Sequence, residues 1–427
     1  MKLCYVESLG CAKNQVDSEL LMSCLDARGQ LSMTPEDAAV IIVNSCGFIE
    51  SAKQESITTV LELRARFPYK KIILAGCLAR RYESELNSIL TEVDLVYGSP
   101  DMKKLVCLAT ADDSPFLDYY AGERPLLSSP GSAYVKISEG CNNNCSFCAI
   151  PQIRGGLSSR SIDDIDAECT ALLQRGIREL CLVAQDTASF GCDVAGKSLL
   201  APLLERLALH DGVFWIRLLY LHPDHFPFEI LPIMQHDSRI IPYFDIPFQH
   251  AAPKILRNMR RSGNARLYLE LIERIRTELP DAVIRSTFLA GFPGENTAAF
   301  DELAAFQEAA QLDWMGVFAY SREEKTGAWY MKPQIARRTA ERRKRILEQT
   351  QTKISEQKLD RFTGRTLDVL VEEAVGIGGF SIGRAYIHAP EVDGVVMIET
   401  ECPLVPGSFV KVVITGHTGF DLQAIIP

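Results

Sequence analysis

The sequence predicts an α/β protein in three parts: an N-terminal doubly wound α/β domain, a central run of six βα units, and a C-terminal small antiparallel β-barrel. Three observations carry this reading. As far as about residue 125 the chain repeats one phrase, a β-branched apolar run followed by a turn and a stretch of helical spacing. From 133 to 332 the same alternation continues in longer units. Beyond 361 the apolar period shortens to that of strands. The expected domains are 1–125, 133–332 and 361–427, with a linker helix over 333–360; roughly 150 residues per domain suits a chain of 427.

In the first domain, apolar runs at 3–9, 39–45 and 71–75 predict strands. Helical spacing over 17–27, closed by Gly29, and over 50–66, with Pro68 beyond, predicts the helices between them. Such repetition calls for a parallel sheet with right-handed crossovers. Residues 110–132, with Pro115, Pro125 and Pro130, read as a linker. In the second domain, strands are expected over 133–138, 179–185, 214–220, 243–248, 282–291 and 314–320. A helix over 162–175 starts behind Ser161 as its N-cap and ends at Gly176. Six such units form either an open sheet or a partial barrel, and in both the chemistry belongs at the carboxyl ends of the strands. One charged helix, Arg337 to Gln357, comes next. Five short strands close the chain at 365–372, 380–387, 394–399, 408–414 and 420–426, with turns at 376–379, 393–394 and 416–419. That density of strands predicts an OB-like barrel.

Composition narrows the class of protein. With 47% hydrophobic and 23% charged residues, the chain is neither disordered nor collagen-like. No apolar stretch approaches the roughly eighteen residues of a membrane span, and the N-terminus lacks the pattern of a signal peptide. A cytoplasmic protein is expected, where stable disulfides are rare. The net charge of −10 disfavours wholesale binding of nucleic acid. The 13 cysteines therefore read as core residues, metal ligands or catalysts.

Two sets of cysteines stand apart. Cys141, Cys145 and Cys148 share a Gly- and Asn-bearing loop directly after the strand at 133–138. Three thiolates so close suit an iron-sulfur cluster or zinc, and no fourth Cys or His stands nearby to complete a structural zinc site. On a four-iron cluster they would leave one iron open to a small molecule. Cys11, Cys46 and Cys77 each follow one of the three N-terminal strands, so a parallel sheet would bring them to one edge, where such folds place ligands. A single cysteine there reads as core; three at equivalent strand ends point to a second three-thiolate cluster. Cys4, Cys24, Cys107, Cys169, Cys181, Cys192 and Cys402 read as core filler, Cys192 least clearly because it follows Phe190-Gly191 in a loop. His222 and His250 follow central strands and could face the site, although a lone His at a strand end is more often structural.

The Cys141-x3-Cys145-x2-Cys148 spacing resembles the signature of the radical S-adenosylmethionine (SAM) enzymes, whose core is a partial barrel of six βα units. The resemblance extends over nearly the whole chain. Ser8-Leu9-Gly10-Cys11, Asn44-Ser45-Cys46-Gly47-Phe48-Ile49 and Ala75-Gly76-Cys77-Leu78 are similar to the N-terminal domain of the methylthiotransferases. Glu139 to Pro151 with Arg154-Gly155, Gln185-Asp186-Thr187, Asp245 to His250 and Gly291 to Glu295 match their radical SAM core, and the C-terminal barrel looks like a TRAM domain. The wording around Cys11 and Cys46 is similar to the RimO-type branch, which modifies an aspartate on protein twelve of the small ribosomal subunit. Ser45 departs from the Thr usual in that branch.

The resemblance implies two 4Fe-4S clusters. One, on Cys141, Cys145 and Cys148, holds SAM and generates the radical; the other, on Cys11, Cys46 and Cys77, holds or delivers sulfur, and a further SAM gives the methyl group. An electron donor of flavodoxin or ferredoxin type is implied as a partner. Phe147, inside the cysteine loop, could pack against the adenine of SAM, and Gln185, Arg217 and Gly291 are candidates for the rest of that site. The stretch from Gly291 to Glu295 lacks the Lys-Ser/Thr ending of a phosphate loop. From 361 to 427 stand four basic against eight acidic residues, a net charge of −4. Such a barrel suits a basic protein better than RNA, and the Arg337 to Arg345 run leaves RNA contact a secondary role. The alternatives are methylthiolation of a tRNA adenosine and, from another class, a non-catalytic iron-sulfur binding or sensor protein.

Overall fold

The computed structural model describes residues 2–112, 124–375 and 379–427; the middle of the expected 110–132 linker and most of the 376–379 turn lie outside the described residues. The chain divides into two compact units. The first comprises residues up to Leu127 together with Glu139–Asn142 and Cys148–Ser158; the second comprises Ser128–Ser138, Asn143–Phe147 and Ser159–Pro427. Among the described residues no helix is long and apolar enough to cross a membrane.

In the first unit, β1 (Cys4–Ser8), β2 (Val40–Ser45), β3 (Lys71–Ala75) and β4 (Leu95–Val96) form a parallel sheet in that order. Between and after them run α1 (Ala12–Asp26), α2 (Glu50–Arg66), α3 (Gly76–Ile89) and α4 (Met102–Thr110). Every residue of β2 is buried, as a strand covered on both faces must be. On one face Leu21 and Leu25 of α1 and Val106 of α4 meet Val6, Ile42 and Ile73. On the other, Val60 and Leu63 of α2 and Leu78 of α3 meet Ile41, Val43 and Leu74. A short helix, α5 (Ile150–Arg154), also folds with this unit.

Helices on both faces of a sheet whose order follows the chain require a reversal, and Leu31 supplies it. After α1 the chain pairs in parallel with the outer edge of β1 through Leu31 opposite Cys4. Cys4 N–H donates to the Gln30 carbonyl at 2.8 Å, and Ser32 N–H donates to the Cys4 carbonyl at 2.8 Å. Only then does the chain return to the inner side of β1 as β2. One hand of crossover thereby places α1 and α2 on opposite faces. The change of direction opens a crevice at the carboxyl ends of β1 and β2.

In the second unit, β5 (Ser132–Lys136), β6 (Glu179–Val183), β7 (Trp215–Leu218), β8 (Ile240–Asp245), β9 (Val283–Ala290) and β10 (Trp314–Ala319) form an all-parallel sheet in sequence order. The helices α6 (Ile162–Gln174), α7 (Leu200–Leu207), α8 (Ile230–His236), α9 (Ala265–Glu278) and α10 (Thr297–Ala310) pack each against the next. This is a partial barrel of six units, open between β5 and β10. The charged helix α11 (Arg337–Leu359) packs on α10 and β10 through Leu347 and Ile354, so it is half buried rather than a free connector.

The C-terminal strands β11 (Thr366–Val375), β12 (Phe380–Ala385), β13 (Val396–Glu399), β14 (Phe409–Thr418) and β15 (Asp421–Ile425) close into a barrel in the order β11-β12-β13-β15-β14. It is not wholly antiparallel, because β13 and β15 pair in parallel, Val396 opposite Leu422. Alternation of apolar and polar residues fixes which face a strand buries and leaves its direction open.

This small barrel is locked to the start of the central strands by buried charge. Glu179, at the first position of β6, accepts from Arg217 Nε at 2.7 Å and from Arg384 Nη2 of β12 at 2.5 Å. Arg384 also meets Glu372 at 2.7 Å, and Arg217 Nη1 donates to the Tyr386 carbonyl at 3.0 Å. Trp314 Nε1–H donates to the Ile387 carbonyl at 2.7 Å, and the Trp215 ring lies 4.6 Å from that of Phe409.

Candidate functional site

Cys11, Cys46 and Cys77 of the first unit sit where the sheet hands over to its helices. Cys11 is the N-cap of α1, Cys46 opens the loop after β2, and Cys77 is the second residue of α3. Their loops interlock through glycines. A Cβ on Gly10, whose φ is +93°, would lie 2.6 Å from Cys46 Cβ, and one on Gly47 would lie 2.6 Å from Leu78 Cα. Only residues without side chains allow the first loop to lie on the second and the second on the third. Ser56 Oγ accepts from Cys46 N–H at 3.1 Å and donates to its carbonyl at 2.9 Å. Asn14 Nδ2 donates to the Leu9 and Asn44 carbonyls at 2.6 and 3.0 Å, and Ser45 Oγ bonds the Ala75 carbonyl.

Arg154 of α5 comes to the same place from 77 residues beyond Cys77. Its guanidinium is buried and forked. Nη1 donates to Asp17 at 2.8 Å and to Glu139 at 3.0 and 3.1 Å; Nη2 donates to Asn14 Oδ1 at 3.1 Å and to Cys77 Sγ at 3.3 Å. The thiols feel this surrounding. Burial pushes Cys77 up, against the pull of Arg154, and pushes Cys46 up to about 11. Desolvation also acts on Cys11, but Lys13, Arg154 and backbone N–H groups at the start of α1 outweigh it and hold that thiol below its ordinary value.

Among the described residues no three His, Cys, Asp or Glu side chains close on the spacing of a single ion. A cluster of four irons is larger, with each thiolate on its own iron, and its ligands stand correspondingly apart. Three thiols on interlocked loops, beside a buried cation and two helix N-termini that favour thiolates, fit such a group.

The 141–148 loop is shared between the units. Cys141 and Cys148 fold with the first, where Cys141 N–H donates to the Gly155 carbonyl at 3.2 Å and Ile150 N–H donates to Cys148 Sγ at 3.4 Å. Cys145 folds with the second, beside Ser146, whose N–H donates to the Met259 carbonyl at 3.0 Å and whose hydroxyl donates to the Asn258 carbonyl at 2.7 Å. Asn143 Nδ2 donates to Asp186 Oδ2 at 2.7 Å.

Of the four residues expected near SAM, three lie where the central strands end. Phe147 meets Phe292 edge-on at 6.4 Å. Gln185 stands two residues beyond the end of β6, and Gly291 follows β9 with its N–H on Glu295 at 2.9 Å. Arg217 stands apart from them: wholly buried, its Nε and Nη1 are committed to Glu179 and Tyr386 beneath the C-terminal barrel.

The polar groups around Gln185 were only partly legible in the sequence. Asp186 Oδ2 takes contacts from His225 Nε2 at 2.6 Å and Ser189 Oγ at 2.6 Å besides Asn143. Against burial, His225, His222 and Ser189 hold its carboxyl down to about 2, and, also against burial, Asp186 raises His225 above its ordinary value. His222 stacks on His225 at 4.6 Å, and burial together with the Arg261 charge drives it down to about 3. His250 is structural, lying 3.3 Å from Glu295, which pairs with Arg343 of α11 at 2.8 Å. Of the cysteines read as filler, Cys4, Cys24, Cys169 and Cys181 are buried, whereas Cys192 and Cys402 are exposed.

Comparison with known proteins agrees with this layout. The family described as "Uncharacterized protein family UPF0004" matches residues 3–98, the radical SAM superfamily 135–306, and the TRAM domain 363–426. The ribosomal protein uS12 methylthiotransferase RimO of Treponema denticola is 43% identical, with 97% of this chain and 99% of that protein covered. RimO of Aquifex aeolicus is 41% identical over 98% and 95%, and that of Thermotoga maritima 40% over 98% and 98%. Among solved structures, the radical SAM methyltransferase TsrM from Kitasatospora setae, with cobalamin and a 4Fe-4S cluster bound, shares the fold at 14% identity, with a TM-score of 0.57 over 77% of each chain. The match runs along nearly the whole of this chain and of each of these relatives, and the chain belongs to the RimO family of ribosomal protein uS12 methylthiotransferases.

Proposed function

We propose that this chain installs a methylthio group on the β-carbon of an aspartate of ribosomal protein uS12, in the cytoplasm, drawing electrons from a flavodoxin- or ferredoxin-type donor. The observation that carries the reading is the meeting of Cys11, Cys46 and Cys77 at one sheet edge, beside an arginine that follows the Cys141–Cys148 loop in sequence. In it, Cys141, Cys145 and Cys148 hold one 4Fe-4S cluster, Cys11, Cys46 and Cys77 hold another, and the parts of the chain divide as 1–125, 133–332, 333–360 and 361–427.

A β-carbon has no leaving group, and its proton is too weakly acidic for His or Lys near neutral pH. The bound clusters and SAM supply what side chains cannot: a radical to remove that hydrogen, and the sulfur and methyl group that replace it. The chain's own residues position and enclose. Asp186, Ser189 and His225 hold Asn143 and so the middle of the cysteine loop; Phe147, Gln185 and Gly291 line the strand ends where SAM would lie; Arg217 braces the C-terminal barrel instead. The acidic surface of that barrel suits a basic ribosomal protein.

The test is anaerobic reconstitution with iron and sulfide, followed by SAM, a strong reductant and a peptide carrying the uS12 target loop. Mass spectrometry should show the peptide gaining one methylthio group. Modification of tRNA with the peptide untouched would assign the chain to the other substrate class, and iron binding without SAM turnover would make it a sensor.

A further inference from the structure

Arg154 does more than its place in a cysteine-loop motif requires. It is a buried cation whose Nη1 and Nη2 groups donate to four partners from three parts of the chain: Asn14 and Asp17 of α1, Cys77 of α3, and Glu139, two residues before Cys141. Its side chain is 2% exposed, so its charge acts through little intervening water. The short helix carrying it packs by Ile153 and Ala149 against Cys77 itself. A planar fork of this kind fixes the directions of its contacts, which a lysine in its place could not do.

We propose that Arg154 is a positioning residue for the N-terminal cluster, fixing the Cys77 thiolate and raising that cluster's reduction potential. This rests on the assignment of Cys11, Cys46 and Cys77 as its ligands. A reduced cluster is more negative than an oxidised one, so an N–H donor and a positive charge 3.3 Å from a ligating sulfur favour reduction. Arg154 stands six residues beyond Cys148, so the guanidinium that touches Cys77 is carried on the segment that leaves the 141–148 loop.

The experiment uses the full chain with Cys141, Cys145 and Cys148 replaced by Ala, reconstituted so that iron reports the N-terminal site alone. Iron content, electron paramagnetic resonance and a redox titration are compared for this parent and for Arg154→Lys, Arg154→Met and Arg154→Met with Asp17→Asn. The double change keeps the local net charge by removing the Asp17 carboxylate together with the guanidinium it faces, which lowers the cost of the substitution to the fold. The parent should hold about four irons. Arg154→Met should favour the oxidised form at least tenfold, a midpoint lower by about 59 mV for one electron; Lys, and the double variant, which loses the N–H donor but keeps the net charge, should shift the same way by less. An unmoved midpoint and an unchanged resonance spectrum in the iron-loaded double variant would overturn the role of Arg154. A parent that binds no iron would overturn the ligand assignment itself, and this inference with it.

Discussion

Replacing Glu179 by Gln should undo the joint between the central barrel and the C-terminal one. The carboxylate is fully buried and faces two guanidiniums, Arg217 at 2.7 Å and Arg384 at 2.5 Å, with Ser132 Oγ donating at 3.1 Å. Without it, Arg384 keeps, among the described residues, only the carboxylate of Glu372, at the margin of the cluster, and Arg217 loses the carboxylate on its Nε. Removing one member of a buried ion pair costs about 3–5 kcal/mol. A second route gives the same size. Against the cost of burial, Arg384 and Arg217 hold this carboxyl down from 4.5 to about 2, and at about 1.36 kcal/mol per pH unit that difference is worth about 3 kcal/mol.

The assay is already in the chain. Two of its three tryptophans, Trp215 and Trp314, touch Phe409 and Ile387 across this joint, so tryptophan emission during urea unfolding reports whether the barrels remain docked. At pH 7 the Glu179→Gln transition should fall by about 3 kcal/mol relative to the parent. Because the folded value is depressed, Glu179's contribution is complete above pH 4.5 and disappears as pH falls through about 2, so the gap between the two proteins should close over that window. Replacing Glu179, Arg217 and Arg384 together by apolar residues of similar volume should cost less than the single change. A Glu179→Gln protein within about 1 kcal/mol of the parent, the size of a surface pair, would refute the reasoning.

Three further outcomes are expected. Changing Cys141, Cys145 and Cys148 to Ala should remove about half the iron and all cleavage of SAM, measured as deoxyadenosine. Changing Cys11, Cys46 and Cys77 to Ala should spare SAM cleavage and abolish methylthio transfer to the uS12 peptide, once circular dichroism shows the first unit still folded. The His225 ring, followed by NMR, should titrate above its ordinary 6.5 and fall on Asp186→Asn; its pairing therefore stabilises the fold below pH 6.5 and ceases to do so as pH rises through the folded value.

The sequence was most informative where chemistry attaches to a local pattern. Runs such as Val40–Ser45 and Val283–Ala290 are long and β-branched enough to declare themselves strands, and each of Cys11, Cys46 and Cys77 stands just beyond one. Adjacency to a strand end is a one-dimensional fact with a three-dimensional consequence, because all strands of a parallel sheet end on the same side. Leu31 shows the opposite case. A single residue pairing with the edge of β1 has no periodicity to reveal it, yet it decides which side of the sheet α1 covers.

Arginines were the least legible residues, for a related physical reason. Arg217 and Arg154 look alike in sequence, each near a glycine or strand bearing site residues, and both are buried with carboxylates in the fold. What separates them is the partner that arrives from far along the chain: Arg217 shares Glu179 with Arg384, which lies 205 residues beyond Glu179, while Arg154 meets Asn14, Asp17 and Cys77. A buried guanidinium needs several acceptors at once, and only folding brings them together. The first thus becomes a brace beneath the small barrel and the second a neighbour of a thiolate. The same cost of burying a charge lies behind both; the acceptor set decides whether it serves stability or chemistry.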